Sequence, residues 1–180
     1  MSKSISLLLK AAAFAADRHR RQKRKDHEAT PYINHPLEVA RLLAEEGSMR
    51  DAEVLAAALL HDVIEDTRTT RRELERRFGA RVAALVAEVT DDKRLPKQVR
   101  KRLQIEHAPQ MSRAAALIKI ADKTCNLRDI RERPPEGWSA ARRRGYFAHA
   151  MAVVDGLPVK KHTVLAAFRR VAKPRRTAKP

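Results

Sequence analysis

The stretch "VLAAALLHDVIEDT", Val54 to Thr67, decides how the rest of the chain is read. Val54, Leu55, Ala58 and Leu59 fall at helical spacing, which predicts a helix from about Asp51 to Asp62. Continuing that stripe by three and four residues reaches His61 and Asp62. Two groups that bind metals or move protons therefore sit where the helix meets the core. Burying them unpaired costs several kcal/mol, and more for the charged aspartate. A metal ion is one partner that satisfies both. Glu65 and Asp66 follow one helical turn on, near enough to stay beside such an ion. Carboxylates so placed can take a proton from an attacking water. The plainer reading makes them solvated acids or a cap for the next helix.

The same construction recurs in "ALIKIADKTCNLRDI", Ala116 to Ile130. Ile118, Ala121 and Cys125 set an inward face, Asp122 lies on it, and Asn126 follows one turn later. His35 opens another helix, with Pro36 at the first helical position, where its missing N–H costs nothing. Val39, Leu42 and Leu43 continue the face that carries His35. Each residue alone has an ordinary explanation: His35 as a helix start, Asp122 as the partner of Lys119 or Lys123. Convergence is what points to a metal centre, with His35, His61, Asp62 and Asp122 coming from three separate helices. A mixed nitrogen and oxygen donor set suits Mn²⁺, Fe²⁺ or Zn²⁺ better than Ca²⁺, and the carboxylate content favours Mn²⁺. His19, His27, His107, His149 and His162 show no such convergence and read as core, surface or supporting residues.

Helical periodicity runs through the remainder. Ile5, Leu8, Leu9, Ala12, Ala15, Ala16 and His19 form one stripe, so the start reads as an amphipathic helix rather than a leader. Thr70 and Glu73 have capping-box spacing, and Gly79 reads as a helix stop. "RVAALVAEV", Lys97 to His107, the long "SRAAALIKIADKTCNLRDIRER", Trp138 to Val154 and a last segment ending near Val171 complete the set. With five glycines there are few sites for hairpin turns. The expectation is one all-α domain over residues 1–172, with a basic, disordered tail at 173–180.

At 180 residues, 43% of them hydrophobic but 4% aromatic, the core must be aliphatic. The single cysteine excludes an internal disulfide and fits a reducing compartment, so the cytoplasm is expected. No apolar run spans a membrane. The net charge of +17 suits a polyanionic partner without choosing among nucleotide, nucleic acid and membrane.

Taken together, the blocks "RKDHEATPYINHPLEVARLLAEEG", "AALLHDVIEDT", "FGARVAALVAEVTDD" and "IKIADKTCNLRDI" resemble, in order, the HD-superfamily metal phosphohydrolases. The likeness is closer to the hydrolase domain of the RelA/SpoT alarmone family, and in its size to the stand-alone animal-type SpoT homologues. That resemblance implies an HD-domain helical bundle that hydrolyses the 3′-pyrophosphate of ppGpp or pppGpp. It implies one Mn²⁺ on His35, His61, Asp62 and Asp122, with Glu65 and Asp66 as the acid pair and Asn126 near metal and substrate. Arg24 and Lys25 match the nucleotide-contacting basic pair, and Tyr146, Lys97 and Arg142 fall in the implied substrate pocket. Two departures are visible: "HRRQ" (His19 to Gln22) replaces a glycine-containing turn, and Thr124 and Cys125 replace bulkier residues. Animal-type members are also linked to NADPH, with loss of its 2′-phosphate, so the same site has a second implied substrate. A third reading, a nucleic-acid-binding module on an inactive scaffold, has the basic ends but little aromatic support for base stacking. The oligomeric state is not legible.

Overall fold

A computed structural model describes residues 2–173, which form a bundle of α-helices. Among the described residues the only β pairing is an isolated bridge between Lys23 and Pro31. Among the described residues, no helix is long and apolar enough to cross a membrane. The tail expected from Lys173 lies, beyond that residue, outside the described part.

The bundle is organised around α8 (Arg113–Glu132), capped by the Ser112 hydroxyl on the Ala115 N–H at 3.2 Å. Ala115, Leu117, Ile118, Ile120, Ala121 and Leu127 bury it on nearly every side, as expected of a helix with neighbours all round. Those neighbours are α2 (Asn34–Glu45), α3 (Ala52–Leu59), α6 (Ala80–Val89), α9 (Ala140–Gly156) and α10 (Thr163–Ala172). Helix α3 is capped by Asp51 and buried from Val54 through Leu59, its alanines allowing close approach.

Helix α1 (Lys3–His19) packs on α3 through Ala11, Ala15 and His19. This corrects the expected stripe: Ile5 and Leu9 are 51% and 57% exposed. The contact with alanine-rich α3 favours the small side chains of α1, which turns the larger ones outward. Helix α5 (Arg71–Phe78) is capped by Thr70, whose Oγ accepts from the Glu73 N–H at 3.2 Å. The reciprocal half of the expected capping box is missing, because the Glu73 carboxylate accepts instead from Arg18 (2.6 Å) and Arg77 (3.1 Å). Gly79, at φ +90°, ends α5 and leads into α6, a conformation that favours glycine. Helix α7 (Lys97–His107) follows a charged loop, and α9 starts two residues later than expected because Ser139 is its cap.

The most consequential difference from the sequence expectation lies at the end of α3. The helix stops at Leu59 instead of running to Asp62, and a short helix, α4 (Val63–Asp66), follows the turn. Leu60 (φ −105°, ψ 2°) and Asp62 (φ −99°, ψ −5°) both occupy the bridge region between helix and strand. The cause is visible at Ala58. Its carbonyl accepts from the His61 ring nitrogen Nδ1 at 2.8 Å and from the His61 N–H, leaving the helical i+4 bond unmade. That turn, rather than a continued stripe, directs both His61 and Asp62 inward.

Candidate active site

Four donors from three parts of the bundle meet beside that turn. His35 stands in the first turn of α2, His61 and Asp62 lie between α3 and α4, and Asp122 is midway along α8. His35 Nε2 is 3.1 Å from Asp122 Oδ1 and 3.9 Å from Asp62 Oδ2. His61 Nε2 is 3.1 Å from Asp62 Oδ2 and 3.8 Å from Asp122 Oδ1. The ligand atoms of His35, His61 and Asp62 all lie within 4.8 Å of one another.

This donor set fits a divalent cation. His61 gives its Nδ1 proton to the Ala58 carbonyl, so in the neutral ring, the form that binds a cation, the lone pair is on the buried Nε2 that faces Asp62. Burial disfavours charge throughout the cluster, but mutual attraction outweighs it. Asp62, beside the two histidines, and Asp122, beside Lys123 and His35, are both held below the usual carboxylate range despite burial. His61, burial notwithstanding, is raised to about 9 by Asp62 and Asp122. Lys123 Nζ stands 3.6 Å from Asp122 Oδ2, so the plain pairing considered for Asp122 coexists with its place in the cluster.

The cluster opens into a cleft of about 520 Å³, a volume suited to a nucleotide-sized ligand. Glu65 and Asp66 line it. Burial, with Asp91 nearby, raises the Glu65 pKa, and Glu65 Oε2 accepts from the Asp91 N–H at 3.2 Å. Asp66 pairs with Lys93, and its main-chain carbonyl accepts from Gln22 Nε2 at 2.8 Å. Asn126 joins two halves of the site: its Nδ2 donates to Asp122 Oδ1 at 2.5 Å, while its Oδ1 accepts from Arg24 at 3.1 Å. Arg24 is fixed further by Asp129 at 2.5 Å, and Lys25 stands exposed at the rim.

Tyr146 also lines the cleft, its ring 5.8 Å from that of Trp138. Lys97 and Arg142 do not: Lys97 is exposed at the start of α7, and Arg142 lies 4.3 Å over the ring of Trp138, which does line the cleft. Sequence reasoning passed over Lys93, Arg100, Lys119 and Lys123 as cleft cations, and over Tyr32 and Gln104. The basic residues are too plentiful in this chain to stand out by pattern. Tyr32 carried a signal, three residues before His35, but its reach to Asp62 depends on the loop's path. Cys125, buried, faces a separate groove beside Glu38 and Arg128, not the main cleft. Burial pushes its thiol up to about 12.

Comparison with known proteins agrees with this geometry. A family model described as the HD domain matches residues 11–149. The guanosine-3′,5′-bis(diphosphate) 3′-pyrophosphohydrolase MESH1 of Xenopus tropicalis is 58% identical over 87% of this chain and 88% of its own length. The MESH1 protein of Homo sapiens is 53% identical over 97% of this chain and 98% of its own. A solved structure described as a metazoan orthologue of SpoT that hydrolyzes ppGpp superposes with a TM-score of 0.89. It is 45% identical, covering 95% of this chain and 94% of that one. The chain belongs to the HD domain family, within the group formed by its MESH1 relatives.

Proposed function

We propose that this protein hydrolyses the 3′-pyrophosphate of ppGpp or pppGpp, releasing pyrophosphate with GDP or GTP, and that one Mn²⁺ per chain is required. Residues 1–172 form the hydrolase domain on this reading, and 173–180 a basic tail. The observation that carries it is the meeting of His35, His61, Asp62 and Asp122, at 3.1–3.9 Å from histidine nitrogen to carboxylate oxygen, inside a cleft that also presents Arg24, Lys25, Lys93 and Lys123. The names of the MESH1 relatives support the substrate. Those four side chains hold the cation, whose contribution when bound is Lewis acidity and charge neutralisation at a phosphoryl group.

The protein's own groups supply the rest. Glu65, whose raised pKa brings it nearer the working pH, accepts the proton of the attacking water, with Asp66 alongside. Arg24, Lys25 and Tyr146 hold the anionic nucleotide, and the anchoring of Arg24 on Asp129 and Asn126 fixes its fork before substrate arrives. Lys97 and Arg142 are left to outer contacts of a bound nucleotide. Asn126 couples the nucleotide side to Asp122. The free, buried Cys125 fits a reducing cytoplasm.

The test is incubation of metal-stripped protein with ppGpp, with and without Mn²⁺, reading GDP and pyrophosphate. Mn²⁺-dependent release is expected, abolished in His61→Ala and Asp62→Ala. Folded, Mn²⁺-loaded protein that leaves ppGpp intact and releases phosphate from NADPH would overturn the substrate assignment while leaving the metal site in place.

A further inference from the structure

Three of the four proposed ligands are each held by a hydrogen bond to a group outside the set of four. His61 is held by the Ala58 carbonyl and Asp122 by the Asn126 amide. The third anchor is Tyr32, whose hydroxyl donates to Asp62 Oδ2 at 2.6 Å. That oxygen is the one turned toward both histidines, 3.1 Å from His61 Nε2 and 3.9 Å from His35 Nε2.

Tyr32 is itself tightly placed. Its N–H donates to the Gln22 carbonyl at 3.1 Å and its carbonyl accepts from the His35 N–H at 3.0 Å, so the backbone is pinned on both sides just before α2. The ring lies between His19 and His35, with centroids 4.9 and 6.0 Å away. The Arg24 guanidinium stands over the same ring at 5.7 Å. A phenol fixed by packing in this way presents its hydroxyl to Asp62 at little entropic cost, because little side-chain freedom remains to be lost.

From this we infer that Tyr32 is a positioning residue of the metal centre: its hydroxyl sets the orientation of the Asp62 carboxylate and thereby the affinity for the cation. The inference rests on the metal-dependent reading above. Outer partners of metal ligands typically contribute about 10- to 100-fold in affinity, and Tyr32 belongs in that range. The ring and the hydroxyl are separable, since Tyr32→Phe keeps the packing against His19, His35 and Arg24 and removes only the donor. Tyr32→Leu removes both.

The experiment titrates MnCl₂ into metal-stripped wild-type, Tyr32→Phe and Tyr32→Leu protein by calorimetry. Circular dichroism confirms the fold, and the Mn²⁺ concentration for half-maximal ppGpp turnover is measured in parallel. Tyr32→Phe should bind Mn²⁺ at least about tenfold more weakly. Its half-maximal Mn²⁺ concentration should move by the same factor, while KM for ppGpp stays as in wild type. Unchanged Mn²⁺ affinity in Tyr32→Phe overturns the inference, and a defect confined to Tyr32→Leu does so too, assigning the residue to ring packing alone. A turnover deficit in Tyr32→Phe that saturating Mn²⁺ does not restore also overturns it, by placing the hydroxyl in the chemistry. Failure of the underlying reading looks different: wild-type protein itself would then take up no Mn²⁺, and both fall together.

Discussion

The Asp91 N–H donates to Glu65 Oε2 at 3.2 Å, so the loop after α6 grips a carboxylate that shares its cleft with Asp62. Burial and the Asp91 and Asp62 charges nonetheless raise the Glu65 pKa above its ordinary 4.5. An acid raised in the folded state is harder to ionise there than in the unfolded chain. Its contribution to stability therefore declines as pH rises from about 4.5 through the raised value and stays lower above it.

Replacing Glu65 with Gln should remove that decline. Calorimetric scans between about pH 4 and 8 should give a flatter pH dependence and a midpoint at neutral pH higher by about 1–3 °C. Turnover of ppGpp should fall by at least about 100-fold in the same variant. An unaltered pH slope would contradict the burial of an ionised Glu65.

Arg24 and the two cations outside the cleft should separate cleanly in kinetics. Arg24→Ala should raise KM for ppGpp about 10- to 100-fold, and Arg24→Lys should not restore it, because the fork on Asp129 and Asn126 requires a guanidinium. Lys97→Ala and Arg142→Ala, exposed and not themselves part of the lining, should shift KM by less than about fivefold. Equal effects at all three would show that the bound nucleotide reaches beyond the cleft wall.

How far the sequence disclosed this arrangement varies with the kind of contact involved. Helix faces with a regular apolar stripe, such as those carrying Asp122 and His35, were legible because burial repeats every three or four residues. The turn at Leu60–Asp62 was not, since it follows from one side-chain-to-carbonyl bond at Ala58 that no periodicity encodes. On α1 the stripe was placed too broadly, because the pattern cannot show that an alanine-rich neighbour selects Ala11 and Ala15 over Ile5 and Leu9. Tyr32 and Lys93 escaped for a related reason: each reaches a residue far away in the chain from a loop whose path no periodicity encodes.

Gly47 should tolerate no side chain. A Cβ there would lie 2.5 Å from the Leu43 carbonyl oxygen and 2.6 Å from Val164 Cγ2, where the chain leaving α2 passes α10. Gly47→Ala should cost about 1–3 kcal/mol in urea unfolding, with the metal site and KM intact. A neutral substitution would mean that α10 can move away from this turn.

Chelation should inactivate the protein and lower its thermal midpoint, both reversed by Mn²⁺. Mn²⁺ uptake should also release protons, seen as a dependence of the calorimetric heat on buffer ionisation enthalpy. A midpoint that ignores the ion would place it outside the bundle.

His35 and Asp122 are 87 residues apart in the chain yet 3.1 Å apart at the site. No local segment can assemble that pair, so an ion held there would have nothing to recognise until α2, the α3–α4 turn and α8 have all docked. Binding confined to the native state stabilises it by about 2.7 kcal/mol when free ion stands at a hundred times Kd. Scarcity of the ion would then thin the population of folded molecules as well as slow each one, coupling the lifetime of the protein to cellular metal supply.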